Sequence, residues 1–252
     1  MRLKALLFDM GGTLDTYHYD RESALAALPE LRRILAKAMG TELALDDAGL
    51  LALVDRGEAS YRRAREKDNV ELPPEVVWRD HYLKDFGPLP DLAPELGEAL
   101  AFIVDTRFYV RSLRPEAPAA LEALKARGLR LGVVSNVLSR GQVPRDLERY
   151  GIAGLFDAVL TSSEFGRRKP DPAILLRAAE LVGAAPGDSA YVGDRVSRDV
   201  AGARRAGFAF AARIRNRYVE ESEPREPRPD FVIDALDELV PAVERYERGE
   251  TA

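Results

Sequence analysis

Four short stretches of the chain carry side chains able to do chemistry on an anion. The first is Phe8-Asp9-Met10-Gly11-Gly12-Thr13-Leu14, a carboxylate on a glycine-rich turn. Gly11 and Gly12 let backbone N–H groups approach an anion closely, and a carboxylate held there can act as a nucleophile. Taken alone, Asp9 is equally well explained as the cap of a turn. The second stretch is Gly193-Asp194-Arg195-Val196-Ser197-Arg198-Asp199, with one carboxylate at the end of an apolar run and another at the start of a helix. A favourable interaction with the helix N-terminus accounts for Asp199 but not for Asp194. The third is Ser135-Asn136 after Val133-Val134, where a hydroxyl and an amide can hold a phosphoryl oxygen or simply cap a helix. The fourth is Arg167-Arg168-Lys169-Pro170-Asp171-Pro172. Asp171 and Pro172 suit the cap and first turn of a helix. Lys169 is either an ordinary solvated lysine or an ammonium that offsets the carboxylates and stabilises charge on a transferring phosphoryl group.

The elements around these stretches decide whether they can meet. The apolar run at 3–8 reads as a buried strand that ends at Asp9 and the glycine pair. From about residue 112 helices and strands alternate: helices over 116–127, 142–150, 172–182 and 198–206, and strands over 129–134, 158–161, 190–192, 208–212 and 231–233, with a C-terminal helix to finish. That rhythm predicts an α/β fold with a Rossmann-like parallel sheet covered by helices on both faces. Ligands bind such sheets at the carboxyl ends of the strands, where Asp9, Ser135, Thr161 and Asp194 fall. Asp9 and Asp194 at one edge would raise each other's pKa unless a cation intervened. Oxygen ligands with no soft donors point to Mg²⁺.

Residues 20–110 read differently, with apolar positions at helical spacing: Leu25, Leu28, Ile34 and Leu35 on one face, and Val76, Val77, Leu83 and Phe86 on another. Pro73-Pro74 and the stretch 87–94 punctuate the helices. The expected organisation is an α/β core over 1–15 and 112–252, with a smaller all-helical domain over 16–111. The basic residues Arg62, Arg63, Arg65 and Lys67 read as a solvated helix face, and 220–229 as a surface loop in preference to a partner-binding strap.

Composition narrows the class. Of 252 residues, 46% are hydrophobic and 31% charged, the balance of a globular chain. A net charge of -5 argues against nucleic acid as a partner. With no cysteine and only two histidines, His18 and His81, neither disulfides nor a zinc cluster can be assembled. The first apolar run is too short for a signal peptide, and no stretch approaches the roughly 20 apolar residues of a membrane helix. The expected address is the cytoplasm, with no membrane partner.

In order and spacing, Asp9 to Leu14, Ser135, Lys169 with Pro170, and Gly193-Asp194 with Asp199 resemble the four signature motifs of the haloacid dehalogenase superfamily. Ser163-Glu164-Phe165-Gly166 resembles the family's usual approach to its lysine. The resemblance covers 1–15 and about 112–240, and the helical segment falls where many members carry a cap domain. It implies that Asp9 is a nucleophile forming an aspartyl-phosphate, and that Lys169 steadies both Asp9 and the phosphoryl group. Met10, Gly11, Ser135 and Asn136 would complete the phosphate site. Mg²⁺ would be held by Asp9, the Gly11 carbonyl, Asp194 and Asp199, the last directly or through water. The family's selectivity comes from cap residues, for which Tyr17, Tyr19, Arg107 and Tyr109 are candidates.

At Gly11 the chain departs from its phosphatase relatives, which usually carry a second aspartate there to protonate the leaving group and later activate water. Such general acid–base catalysis is worth about 10² to 10⁴ in rate. Three readings follow. One is a Mg²⁺-dependent hydrolase of a small phosphorylated metabolite in which Asp15, His18 or a cap residue supplies the proton. Another is a non-catalytic phosphate-binding or interaction module. The third is a 2-haloacid dehalogenase, a family that needs no metal and generally lacks the Gly-Asp pair seen at 193–194.

Overall fold

The computed structural model describes residues 2–86, 91–216, 218–219 and 223–250. In chain order its first elements are β1 (Ala5–Phe8), β2 (Asp15–Tyr19), α1 (Arg21–Met39), α2 (Asp47–Asp68), α3 (Pro74–Val77), α4 (Pro94–Arg107) and β3 (Tyr109–Leu113). There follow α5 (Ala117–Ala126), β4 (Arg130–Ser135), α6 (Gln142–Arg149), β5 (Ala158–Thr161), α7 (Ser162–Phe165) and α8 (Pro172–Leu181). The last are β6 (Ser189–Gly193), α9 (Ala201–Ala206), β7 (Phe210–Ile214), β8 (Phe231–Ile233) and α10 (Leu239–Glu247). None of the described helices is long and apolar enough to cross a membrane.

The chain divides into two compact units, one of residues 1–16, 112–136 and 143–252, the other of 17–111 and 137–142. The first unit holds a six-stranded sheet in the order β5-β4-β1-β6-β7-β8, with every pairing parallel. This is the α/β architecture that the alternating pattern predicts. Alternate residues of β1 point to opposite faces. Ala5 and Leu7 join Val134, Tyr191 and Ala211 in a core closed by Ile174, Leu175 and Ala178 of α8 and Ala203 and Ala206 of α9. On the other face Phe8 meets Phe156 edge to face at 6.3 Å, and Phe210 meets Tyr246 of α10 at 5.2 Å. β1 sits centrally, with β4 and β5 on one side and β6 to β8 on the other. The order therefore reverses at β1, where a parallel sheet opens a crevice for ligand.

Strand β7 begins two residues later than the sequence pattern suggests. Gly207 adopts a left-handed conformation (φ 71°) and the Phe208 N–H closes on the Ala203 carbonyl at 3.1 Å, so Phe208 ends helix α9 instead of starting the strand. The helix expected over 198–206 is likewise split, a π-helical turn at Val196–Val200 preceding α9.

In the second unit, Asp20 and Asp46 cap α1 and α2 through the backbone N–H groups of Ser23 and Gly49. Leu28, Leu31, Tyr61, Val77, Trp78 and Leu100 form its core, where Trp78 stacks on Tyr82 at 4.2 Å. A Cβ on Gly57 would meet the Tyr82 ring at 2.3 Å, which is why only glycine lets α2 approach it. Leu25 and Phe86 are exposed and do not share the buried faces expected of them. Arg65 is not purely solvated, since it pairs with Glu58 at 3.0 Å and lies over the Tyr61 ring. Residues 87–90 of the expected break and 220–222 of the expected surface loop lie outside the described residues.

Two features correct the all-helical expectation for 16–111. The segment opens and closes in strands, β2 pairing with β3. Tyr17 and Tyr19 both meet Tyr109 edge to face, at 5.9 and 6.1 Å, so aromatic cross-strand packing outweighs the helical spacing nearby. The loop 137–142 also groups with this unit, although the sequence places it in the α/β core. Glu98 accepts hydrogen bonds there from Ser139 Oγ (2.7 Å), Arg140 N (3.0 Å) and Gly141 N (3.1 Å), and Asp105 accepts one from Ser139 N (2.8 Å).

Candidate active site

Register brings the first three stretches to one edge. Phe8 pairs with Val133 on one side and Val192 on the other, so Asp9 and Asp194 emerge just past the carboxyl ends of β1 and β6, beside Ser135, the last residue of β4. The Asp9 N–H still donates to Val192 O at 2.8 Å, which fixes where the glycine-rich turn begins. The Met10 carbonyl accepts from the N–H groups of Thr13, Leu14 and Asp15, and Gly12 N donates to Asp15 O at 2.8 Å. Arg114 Nη2 holds the same turn through Gly12 O at 3.1 Å.

Two glycines permit the carboxylates to converge. Gly12 has φ 88°, and a Cβ there would fall 2.3 Å from Asp194 Oδ2. A Cβ on Gly193 would fall 2.3 Å from Asp199 Cγ. With both side chains absent, Asp9, Asp194 and Asp199 each offer an oxygen, all within 4.8 Å of one another.

Lys169 is buried against them. Its ammonium donates to Asp9 Oδ1 at 2.8 Å and to Tyr191 Oη at 2.7 Å, and lies 2.8 Å from Asp199 Oδ1. Tyr191 Oη passes its own proton to the Val134 carbonyl at 3.0 Å, so it must accept from the lysine. The lysine backbone is gripped at both ends by Asn136: Lys169 N donates to Oδ1, and Nδ2 donates to Lys169 O, each at 2.9 Å.

One ammonium against three buried carboxylates leaves negative charge to be compensated. Burial, opposed by Lys169 and reinforced by Asp199, pushes the Asp9 carboxyl above its ordinary range. Burial, with the charges of Asp9 and Asp199, raises Asp194 to about 7. Asp194 Oδ1 is buried and makes no hydrogen bond, and Asp199 Oδ1 has the Lys169 ammonium beside it at 2.8 Å. A hard carboxylate oxygen without a partner, in a crowded acidic group, fits a divalent cation.

The chain from residue 3 to residue 207 matches the model of the haloacid dehalogenase-like hydrolases. It belongs to that family. A glyceraldehyde 3-phosphate phosphatase of Methanopyrus kandleri is 32% identical over 246 residues, spanning 96% of this chain and 97% of that one. Among solved structures, a phosphatase of the family from Thermococcus onnurineus superposes with TM-score 0.61 at 26% identity, over 96% of this chain and 98% of that one. A 2-haloacid dehalogenase from Pseudomonas syringae superposes with TM-score 0.62 at 25% identity, over 97% and 99%.

Within this haloacid dehalogenase-like fold the residues singled out in the sequence separate into groups. Asp9, Lys169, Asp194 and Asp199 come together, and Met10 and Gly11 lie in the turn that starts at Asp9. Ser135 is buried at the end of β4. Asp199 does interact with the start of its helical turn, since Oδ2 accepts the Arg195 N–H at 3.0 Å, while Oδ1 faces Lys169 Nζ at 2.8 Å. Asn136, expected to hold a phosphoryl oxygen, bonds the Lys169 backbone through both Oδ1 and Nδ2. Thr161 is committed to Glu164 and Ser163 around the start of α7. Of the candidates for the missing acid, which also include a cap residue, Asp15 is fully buried and accepts from Tyr150 Oη at 3.0 Å, and His18 is an exposed residue of the second unit. Tyr17, Tyr19 and Tyr109 pack on one another across β2 and β3, and Arg107 is exposed with Glu30 4.0 Å away.

Three residues of the site were not legible in the sequence. Tyr191 reads as one more apolar residue of a buried strand. Arg114 reads as a linker residue. Asn216 lies two residues past β7, where it reaches Asp194, and a strand expected to end at Ala212 does not point to it.

Proposed function

We propose that this chain is a Mg²⁺-dependent phosphatase of a small phosphorylated metabolite, working through an aspartyl-phosphate on Asp9. The observation that carries the reading is the convergence of Asp9, Asp194 and Asp199 on one another, with Lys169 bonded to Asp9 Oδ1. The phosphatase names of the Methanopyrus and Thermococcus relatives favour a phosphate ester as substrate.

Mg²⁺ would be held by Asp9, the Gly11 carbonyl, Asp194 and Asp199, and when bound supplies fixed positive charge beside the carboxylates and the phosphoryl oxygens. A carboxylate oxygen of Asp9 attacks phosphorus, and the ester P–O bond breaks with its electron pair leaving on the alcohol oxygen. Lys169 keeps Asp9 ionised and offsets charge on the transferring group, with Ser135 and the turn N–H groups as further donors. Asn136 and Tyr191 orient Lys169 from its two ends. Water then attacks the phosphorus of the aspartyl-phosphate, the P–O bond to Asp9 breaks, and inorganic phosphate departs. Gly11 can deliver no proton to the departing oxygen and take none from the water, so turnover favours leaving groups that need no protonation.

The test is hydrolysis of an aryl phosphate and a panel of phosphorylated metabolites, with and without Mg²⁺. Metal-dependent release of phosphate supports the proposal. Gly11 favours one second reading, a phosphate-binding module without turnover, which would bind orthovanadate yet hydrolyse nothing. A dehalogenase would release halide from 2-haloacids without metal, and the buried, partnerless Oδ1 of Asp194 weighs against it.

A further inference from the structure

We propose that Asn216 is a positioning residue that aims Asp194 at the divalent cation, an inference that rests on the metal-dependent reading above. Asn216 follows β7 and is 8% exposed. Its Nδ2 donates to Asp194 Oδ2 at 2.8 Å, and its Oδ1 accepts the Tyr218 N–H at 3.1 Å. The backbone N–H can only donate, so the amide has one orientation, and it is the donor end that faces the carboxylate.

That bond divides the labour of Asp194. A carboxylate turns easily about its last bond, because the torsion has a broad two-fold profile. Asn216 occupies Oδ2, whereas Oδ1 is buried and without any hydrogen bond. Arg213 Nε donates to the Asp194 carbonyl at 3.2 Å, so β7 and the residue beyond it hold both the backbone and the side chain of Asp194. The nucleophile turn packs against the same pair, since a Cβ on Gly12 would fall 2.6 Å from Asn216 Nδ2 and 2.3 Å from Asp194 Oδ2. An amide donor suits the task, because it satisfies one oxygen without adding charge to a crowded group and leaves the other free to ligate. Outer residues that orient a metal ligand in this way are typically worth about 10- to 100-fold in metal affinity.

The experiment titrates Mn²⁺, as a paramagnetic stand-in for Mg²⁺, into the full chain and into Asn216→Ala and Asn216→Ser, with thermal melting of each metal-free protein alongside. Wild type should bind Mn²⁺, Asn216→Ala should bind it about 10- to 100-fold more weakly, and Asn216→Ser, which keeps a shorter donor, should fall between. A residue that served only the fold would lower the melting temperature and leave the affinity of the folded protein unchanged. Affinity within twofold of wild type in Asn216→Ala therefore overturns the inference and leaves the phosphatase reading standing. If Asn216→Ala does not fold, unchanged affinity in Asn216→Ser overturns it. Absence of Mn²⁺ binding in wild type sinks the metal-dependent reading and the inference with it.

Discussion

The ammonium of Lys169 lies 2.8 Å from Oδ1 of Asp9, and both groups are almost wholly removed from solvent. In that setting the lysine is structural and chemical at once. Its charge opposes the rise that burial imposes on the Asp9 carboxyl, and it is bonded directly into a group of three carboxylates. Lys169→Met should therefore abolish turnover and also destabilise the metal-free protein, since removing one partner of a buried pair costs about 3–5 kcal/mol. Mg²⁺ should restore part of that loss. Melting temperatures with EDTA and with Mg²⁺ measure it, and a variant as stable as wild type in EDTA would show that the pair is not needed to balance the carboxylates.

Gly12 tests the convergence of the turn and Asp194. Gly12→Ala combines a left-handed backbone with a Cβ 2.3 Å from Asp194 Oδ2, so something must shift. Strain of this kind costs about 1–3 kcal/mol. The variant should melt lower and bind Mn²⁺ more weakly, whereas Gly128→Ala, whose Cβ would meet nothing within 4 Å, should show only the backbone cost.

Gly11→Asp should supply the acid–base group that this position lacks. Alkyl phosphates, whose alkoxides are poor leaving groups, should gain up to about 10²-fold in kcat/KM or more. Aryl phosphates should gain less. Equal gains for both would mean that proton transfer is not what the wild-type turn is missing.

Away from the site, Asp105 sets a pH dependence of stability. Burial raises its carboxyl to about 6, against the opposing hydrogen bond from Ser139 N, with Glu58 adding to the rise and Arg111 and Arg65 reducing it. The folded protein thus keeps a proton that the unfolded chain releases near pH 4. Stability should fall as pH rises from about 4 to about 6, by at most about 3 kcal/mol, and then level off for this group. Asp105→Asn should flatten that slope, which chemical denaturation at pH 4.5, 5.5 and 7 would reveal. An unchanged slope would place the raised proton elsewhere.

Much of the fold was legible in the sequence because parallel strands and their covering helices alternate with clear punctuation. The strand ends were the place to search because a parallel sheet binds ligand there, although a polar residue in that position can also be a cap, as Thr161 is. What escaped was tertiary. The two-stranded pairing of β2 with β3 depends on Tyr17 and Tyr19 meeting Tyr109 from far along the chain, which no local spacing reports. The grouping of 137–142 with the second unit depends on Glu98 and Asp105, two carboxylates that look like ordinary surface charge on a helix. Asn136 shows a role that residue type does not report. Its type and place suit phosphate, and its amide also holds the backbone of Lys169.

The central claim is that Asp9 attacks phosphorus. Replacing it with asparagine removes the nucleophile and one ligand charge while leaving the shape of the side chain. The most direct measurement is the Mg²⁺-dependent hydrolysis of an aryl phosphate by wild type and by Asp9→Asn at matched folded concentration. Turnover in wild type with none above background in Asp9→Asn is the result expected here. Turnover in Asp9→Asn equal to wild type would contradict the account.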